Sequence, residues 1–206
     1  MGHYFEEQPG TPSQPRRVEL RLPDMSLTLA TDRGVFGYRQ VDAGSKLLLL
    51  KAPLPPPRGT LLDLGCGVGT LAIPMARRSP EAVVWAVDVN ERALDLCRAN
   101  AATNDASNVR VTAPEEVPGD LRFDCIWSNP PIRIGKPALR GLLSSWLSRL
   151  APDGYAVLVV QKHLGSDSLQ RWLTEQGFPT ERLASSSGYR VLVSRSPSRV
   201  DLDAHT

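Results

Sequence analysis

The chain of 206 residues has only three cysteines and three histidines. It also has no apolar run long enough to span a bilayer. Cys66, Cys97 and Cys125 are odd in number, lack the paired spacing of a metal site and fall inside apolar runs. They argue against a disulfide framework and read as free thiols in a reducing compartment. His3 and His205 lie in the tails, and no metal site is expected. Net charge is scarce too. The formal balance is +2, which neither demands a nucleic-acid partner nor excludes one, because a basic patch can sit on a near-neutral protein. The opening MGHYFEEQPGTPSQP lacks the apolar core of a signal peptide, so the expected compartment is the cytoplasm, with no membrane partner. No internal repeat is present.

What the chain does have is apolar content, 41% of residues, in segments that alternate in character. Residues 1–15 and 196–206 are polar and expected to be irregular. Val18, Leu20 and Leu22 alternate with polar residues, as do Leu27 and Leu29, and Pro23-Asp24 between them is turn chemistry. That pattern predicts a β-hairpin. A short helix before the prolines 55–57 closes an N-terminal extension, residues 1–58.

From Gly59 strands and helices alternate: TLLDLG, helix 71–78, AVVWAVDV, helix 92–104, NVRVTA, FDCIWSN, helix 137–150 closed by PDG, YAVLVVQ and helix 167–176. ERLASSS and YRVLVSR then flank Gly188. This predicts an α/β fold, a doubly wound, mostly parallel seven-stranded sheet over residues 59–196, followed by a polar tail, 197–206. Ligands of such sheets sit beyond the carboxyl ends of the strands.

Three motifs fall at those ends. Asp63-Leu-Gly65-Cys-Gly67-Val-Gly69 follows the first strand of the repeating unit and opens a helix. Glycines there allow a tight turn and close approach of a ligand. Asp63 is placed either to hold the loop or to accept from a ligand ammonium. A dinucleotide fingerprint needs its last glycine at position 70, which is Thr70. The spacing suits the methionyl part of S-adenosylmethionine instead. Asp88 ends the next strand, 23 residues after Gly65, where a carboxylate accepts from both hydroxyls of a ribose. Asn90, rather than Asp88, suits the cap of the helix that follows.

The third motif is Asn129-Pro130-Pro131-Ile132, after FDCIWSN. The prolines stiffen the backbone and remove two donors. The carbonyl of Pro130 and the side-chain carbonyl of Asn129 become fixed acceptors. An exocyclic amine on a base is a poor nucleophile, because its lone pair is delocalised into the ring. Two acceptors aimed at its N–H bonds orient it and favour pyramidalisation, so no histidine base is needed.

LLDLGCGVGT, AVDVNERAL and SNPPIRIGK, in this order and spacing, resemble the small-methyltransferase-domain family of class I S-adenosylmethionine-dependent methyltransferases. Within it the chain looks like single-domain relatives of the small-subunit (16S) ribosomal RNA guanine-N2 methyltransferases. The likeness includes HYFEEQP, the hairpin, DRGVFGYRQVDAGSKLLL and the segments on to GYRVLVSR. It implies that Asp63, Gly65, Gly67, Gly69 and Asp88 bind S-adenosylmethionine, and that Asn129 and Pro130 hold the target amine. It implies an RNA partner, ribosomal RNA or a small ribosomal subunit, with Pro131, Ile132, Phe36, Arg133 and Lys136 on the substrate side. Larger members carry two such domains; this chain carries one.

Many amino-methyltransferases have an aromatic fourth residue that stacks on the target base, where this chain has Ile132. Phe36, in a segment expected to lie over the cofactor, is a candidate to supply that face. Arg133, Lys136, Arg140, Lys162 and His163 gather at one strand edge, where they can meet phosphates. Trp85, Trp127, Trp146 and Trp172 are expected in the core. The alternative acceptors are adenine N6, a protein glutamine amide or a small molecule; a cofactor fold that only binds RNA is the non-enzymatic alternative.

Overall fold

The computed structural model describes residues 11–197. The expected irregular start and polar tail lie mostly outside them, as does HYFEEQP. The chain opens with an antiparallel hairpin, β1 (Arg16–Arg21) and β2 (Ser26–Thr31). Val18 pairs with Leu29 and Leu20 with Leu27, so alternation puts all four on the buried face. Helix α1 (Ala43–Lys51) follows.

The main sheet contains β3 (Arg58–Leu64), β4 (Glu81–Val87), β5 (Val109–Thr112), β6 (Phe123–Ser128), β7 (Leu150–Gln161), β8 (Thr180–Ser186) and β9 (Tyr189–Arg195). Its order is β5-β4-β3-β6-β7-β9-β8. The first five strands in that order run parallel; β9 is antiparallel to β7, and β8 to β9. The seven-stranded, mostly parallel sheet and the hairpin are as the sequence predicts. Helices α2 (Ala72–Arg78), α3 (Glu91–Thr103), α4 (Lys136–Leu147) and α5 (Ser166–Glu175) complete the fold.

Two apolar layers form because both sheet faces are covered. Leu61, Trp127, Val157 and Val191 pack with α1, α2, α3 and the hairpin on one face. Leu62, Ile126, Leu158 and Leu192 pack with α4 and α5 on the other. Adjacent residues such as Leu61 and Leu62 are therefore both fully buried.

The boundary near residue 150 differs from the sequence reading. Helix α4 ends at Leu147, and Leu150 already pairs with Phe123 at the start of β7. Asp153, with φ of 64°, and Gly154 form an irregularity inside that strand rather than the stop of the helix. The pull is burial: Leu150 enters the layer with Phe123 and Leu147. The tryptophans also divide. Trp127 and Trp146 are buried as expected. Trp85 and Trp172 stay half-buried, under the guanidinium groups of Arg110 and Arg140. All three cysteines are buried and free.

Candidate active site

The carboxyl ends of β3, β4 and β6 and the start of antiparallel β9 border a cavity of about 470 Å³. Its size suits a small-molecule ligand with a mostly apolar lining. Gly65 and Gly67 line it, with φ of 76° and 52°. A Cβ on Gly65 would meet nothing within 4 Å, and one on Gly67 would just reach the Phe36 carbonyl oxygen at 4.0 Å. The loop presents bare backbone to the space. Its amides are anchored from β4: Gly65 and Cys66 both donate to the Val87 carbonyl, at 2.8 and 3.0 Å.

Asp88 lines the cavity and is half-buried. One carboxylate oxygen accepts from Gly67 N at 2.8 Å and the other from Asn90 N at 3.0 Å. A carboxylate has about four lone-pair sites, so acceptor capacity remains. Burial raises its pKa against those amide bonds. Asn90 is the helix cap, accepting from Ala93 N at 3.1 Å.

Asp63 and Gly69 stand apart from the cavity. Asp63 is fully buried behind the loop, where Oδ2 accepts from Ala72 N at 2.8 Å. Of the two roles its position left open, holding the loop is the one this geometry serves. Burial pushes its pKa up to about 8, with repulsion from Asp88 adding to the shift. Gly69 faces Cys97 Sγ and Ile73 Cδ1, each 3.0 Å from where a Cβ would sit. Its bare backbone lets α2 and α3 approach closely.

Asn129, Pro130, Pro131 and Ile132 line the opposite wall. Pro131, at φ −73° and ψ 76°, centres a tight turn in which Ile132 N donates to the Pro130 carbonyl at 2.8 Å. One lone pair of that carbonyl is therefore used and one is left. Phe36 lines the cavity from the segment that crosses the glycine loop. Asn90 Nδ2 donates to Gly34 O at 2.9 Å and pins that segment. Arg133 lines the cavity as well. Lys136 and Arg140 border a neighbouring depression of about 150 Å³, which shares Ile132 and Leu164 with the first. Arg140 is drawn onto Trp172, and Lys162 and His163 are exposed beyond the rim.

Residues 26–193 match the model of the methyltransferase small domain family. The chain belongs to that family. It is an S-adenosylmethionine-dependent methyltransferase of the class I fold. Among its relatives, the uncharacterized protein YbxB of Bacillus subtilis (strain 168) is 31% identical over 92% of this chain and 96% of its own length. Ribosomal RNA small subunit methyltransferase C of Ectopseudomonas mendocina is 33% identical over 93% of this chain and 59% of its own. A T. thermophilus 16S rRNA N2 G1207 methyltransferase, solved with AdoMet and guanosine, superposes with a TM-score of 0.78 at 28% identity. That match covers 91% of this chain and 52% of the other. The chain thus spans about half the length of these ribosomal RNA methyltransferases.

The cavity fits the cofactor of this small methyltransferase domain. Gly65 and Gly67 form a cradle without side chains, and Asp88 has acceptor capacity beside it. Val89 and Pro114 add apolar lining at the ends of β4 and β5. The sequence reading missed both, although Pro114 follows a strand end, the cue that located the other motifs. It also missed Asp42, Gln161 and Tyr189, which line the side nearest Asn129. Tyr189 lay hidden because β9 runs antiparallel, so the start of that strand, not its end, reaches the site.

Proposed function

We propose that this methyltransferase transfers a methyl group from S-adenosylmethionine to the N2 amine of a guanine in small-subunit ribosomal RNA. The observation that carries the reading is the wall of Asn129 and Pro130 across the cavity from Gly65, Gly67 and Asp88. The resemblance to ribosomal RNA small subunit methyltransferases, one of them solved with guanosine, supports the choice of base.

Gly65 and Gly67 are the backbone cradle for the cofactor, and Asp88 accepts from its ribose hydroxyls. When bound, the cofactor supplies a methyl group already activated as a sulfonium. The remaining work is positioning. The Asn129 side-chain carbonyl and the open lone pair of the Pro130 carbonyl each accept one N–H of the target amine. With the amine so held, its lone pair would form the N–C bond as the S–C pair returned to sulfur, leaving S-adenosylhomocysteine. Positive charge moves from sulfur to nitrogen, and one proton leaves to water. Pro131 and Ile132 pack on the base, with Phe36 as the facing aromatic. Arg133 and Lys136 meet phosphates of an extruded nucleotide.

The direct test incubates the protein with isotopically labelled S-adenosylmethionine and either ribosomal RNA or small ribosomal subunits, then digests to nucleosides for mass spectrometry. N2-methylguanosine is expected, and labelled N6-methyladenosine would refute the reading. Asn129→Ala should bind the cofactor normally while kcat falls about 100- to 1000-fold, the scale of losing one preorganised group.

A further inference from the structure

Asn129 has an amide with two unlike ends, and only one serves an amine. A carbonyl oxygen accepts an N–H; the amide nitrogen would present hydrogens to hydrogens. The side chain of an isolated asparagine turns freely between the two. Something must select the productive end.

Asn129 Nδ2 donates to Asp42 Oδ2 at 2.9 Å and to Ser45 Oγ at 3.0 Å. Both hydrogens of the amide are thereby used, and among the described residues Oδ1 meets no protein donor. Asp42 lines the same cavity, directly before α1. An ionised carboxylate only accepts, so it can hold Nδ2 and cannot hold Oδ1. We infer that Asp42, from the N-terminal extension, is the positioning residue that turns the Asn129 carbonyl toward the cavity.

The surroundings orient Asp42 in turn. Its Oδ2 also accepts from Ser45 N at 3.0 Å, and its Oδ1 accepts from the Tyr189 hydroxyl at 3.2 Å. Tyr189 accepts from Gln161 Nε2 at 3.2 Å. Gln161, Tyr189, Ser45 N and one N–H of Asn129 thus donate in sequence or directly toward the one carboxylate, and such networks polarise cooperatively. Asp42, by accepting an N–H, also pushes electron density from Nδ2 toward Oδ1, strengthening it as an acceptor. Gly44 makes room for the arrangement. A Cβ there would sit 2.6 Å from Tyr189 Cε1 and 2.8 Å from Asp42 Oδ2.

This role rests on the proposed grip of Asn129 on an amine, but its geometry can be tested without any acceptor. The variant of choice is Asp42→Ser. Serine caps a helix as well as aspartate does, yet is too short to reach Asn129. Nuclear magnetic resonance of the side-chain amides, with Asn129 assigned from Asn129→Ala, should show its two NH₂ protons protected from exchange in the wild-type protein. They should shift and lose protection in Asp42→Ser. Rapid exchange of both in the wild type overturns the inference without any variant, and unmoved signals in a folded Asp42→Ser protein do so as well.

On RNA, kcat of Asp42→Ser should fall about 10- to 100-fold, with KM and cofactor affinity held within about twofold. Asp42→Asn keeps one acceptor oxygen and should recover part of the loss. In an Asn129→Ala background, Asp42→Ser should cost nothing further, because its effect passes through the missing amide. A helix cap alone predicts wild-type kcat for Asp42→Ser, and that result would sink the role. If the amide signals behave as expected but the wild-type protein leaves guanine unmethylated, only the assignment of the acceptor fails.

Discussion

Asp63 and Asp88 are two carboxylates that both meet one glycine loop, and their surroundings give them different work. Asp63 is sealed beneath the loop, and burial lifts its pKa from the ordinary 3.8 to about 8. A group raised on folding contributes stability that is complete below its unfolded value and is lost as pH rises through its folded value. The window here runs from about pH 4 to about pH 8. Asp63→Asn keeps an acceptor for Ala72 N without a titrating group. Its melting temperature relative to the wild type should therefore climb across that window; a constant gap would show that Asp63 does not titrate there.

Asp88 reaches the cavity while serving the loop amides, so under the proposed function its removal would strike binding directly. Hydrogen bonds to a charged acceptor are worth about 1.5–3 kcal/mol each, so Asp88→Ala should weaken the cofactor at least about tenfold by calorimetry.

Elements decide how the site is assembled. The hairpin is tied to the rest by side chains that mimic backbone. Asn100 of α3 accepts from Ala30 N at 2.7 Å and donates to Ala30 O at 2.9 Å, as a neighbouring strand would. Arg78, at the end of α2, grips the hairpin turn through Asp24 with two bonds of 2.8 and 3.0 Å and reaches Leu49 O in α1 at 3.1 Å. One nearly buried guanidinium thus joins hairpin, α1 and α2. Its paired hydrogen bonds are of the charge-assisted kind. Arg78→Ala should lower unfolding free energy by about 1–3 kcal/mol in urea denaturation, and a change within error would mean the clasp is ornamental. The extension that carries Asp42 to Asn129 depends on this docking.

Across the whole molecule, charge is nearly balanced, so under the proposed function attraction to RNA falls to local groups of cations, those near the cavity among them. Arg133 lines it, while Lys136 and Lys162 stand nearby. Arg140 is diverted to Trp172. Three phosphate contacts on a single strand predict a slope of about −2 for log affinity against log salt. A slope several times steeper, measured by titration at graded salt, would point to a much wider RNA footprint. No helix among the described residues is long and apolar enough to cross a membrane.

The order of strands and helices, the glycine loop, Asp88 and the Asn129 tetrapeptide were legible along the chain. Each is written locally, in apolar periodicity, in glycines that must adopt positive φ, and in residues at strand ends. The site itself was only half legible. That Asp63 and Gly69 lie outside the cavity lining depends on which way the turn faces. That Arg140 covers a tryptophan depends on what α4 packs beside. The meeting of Asp42, Gln161 and Tyr189 around Asn129 joins residues as far apart as 42 and 189, with one supplied by a strand that enters the sheet backwards. Local pattern fixes each element, because periodicity and turn chemistry act over a few residues. Only the assembled sheet, with α1 laid against β7 and β9, decides which end of an amide is held.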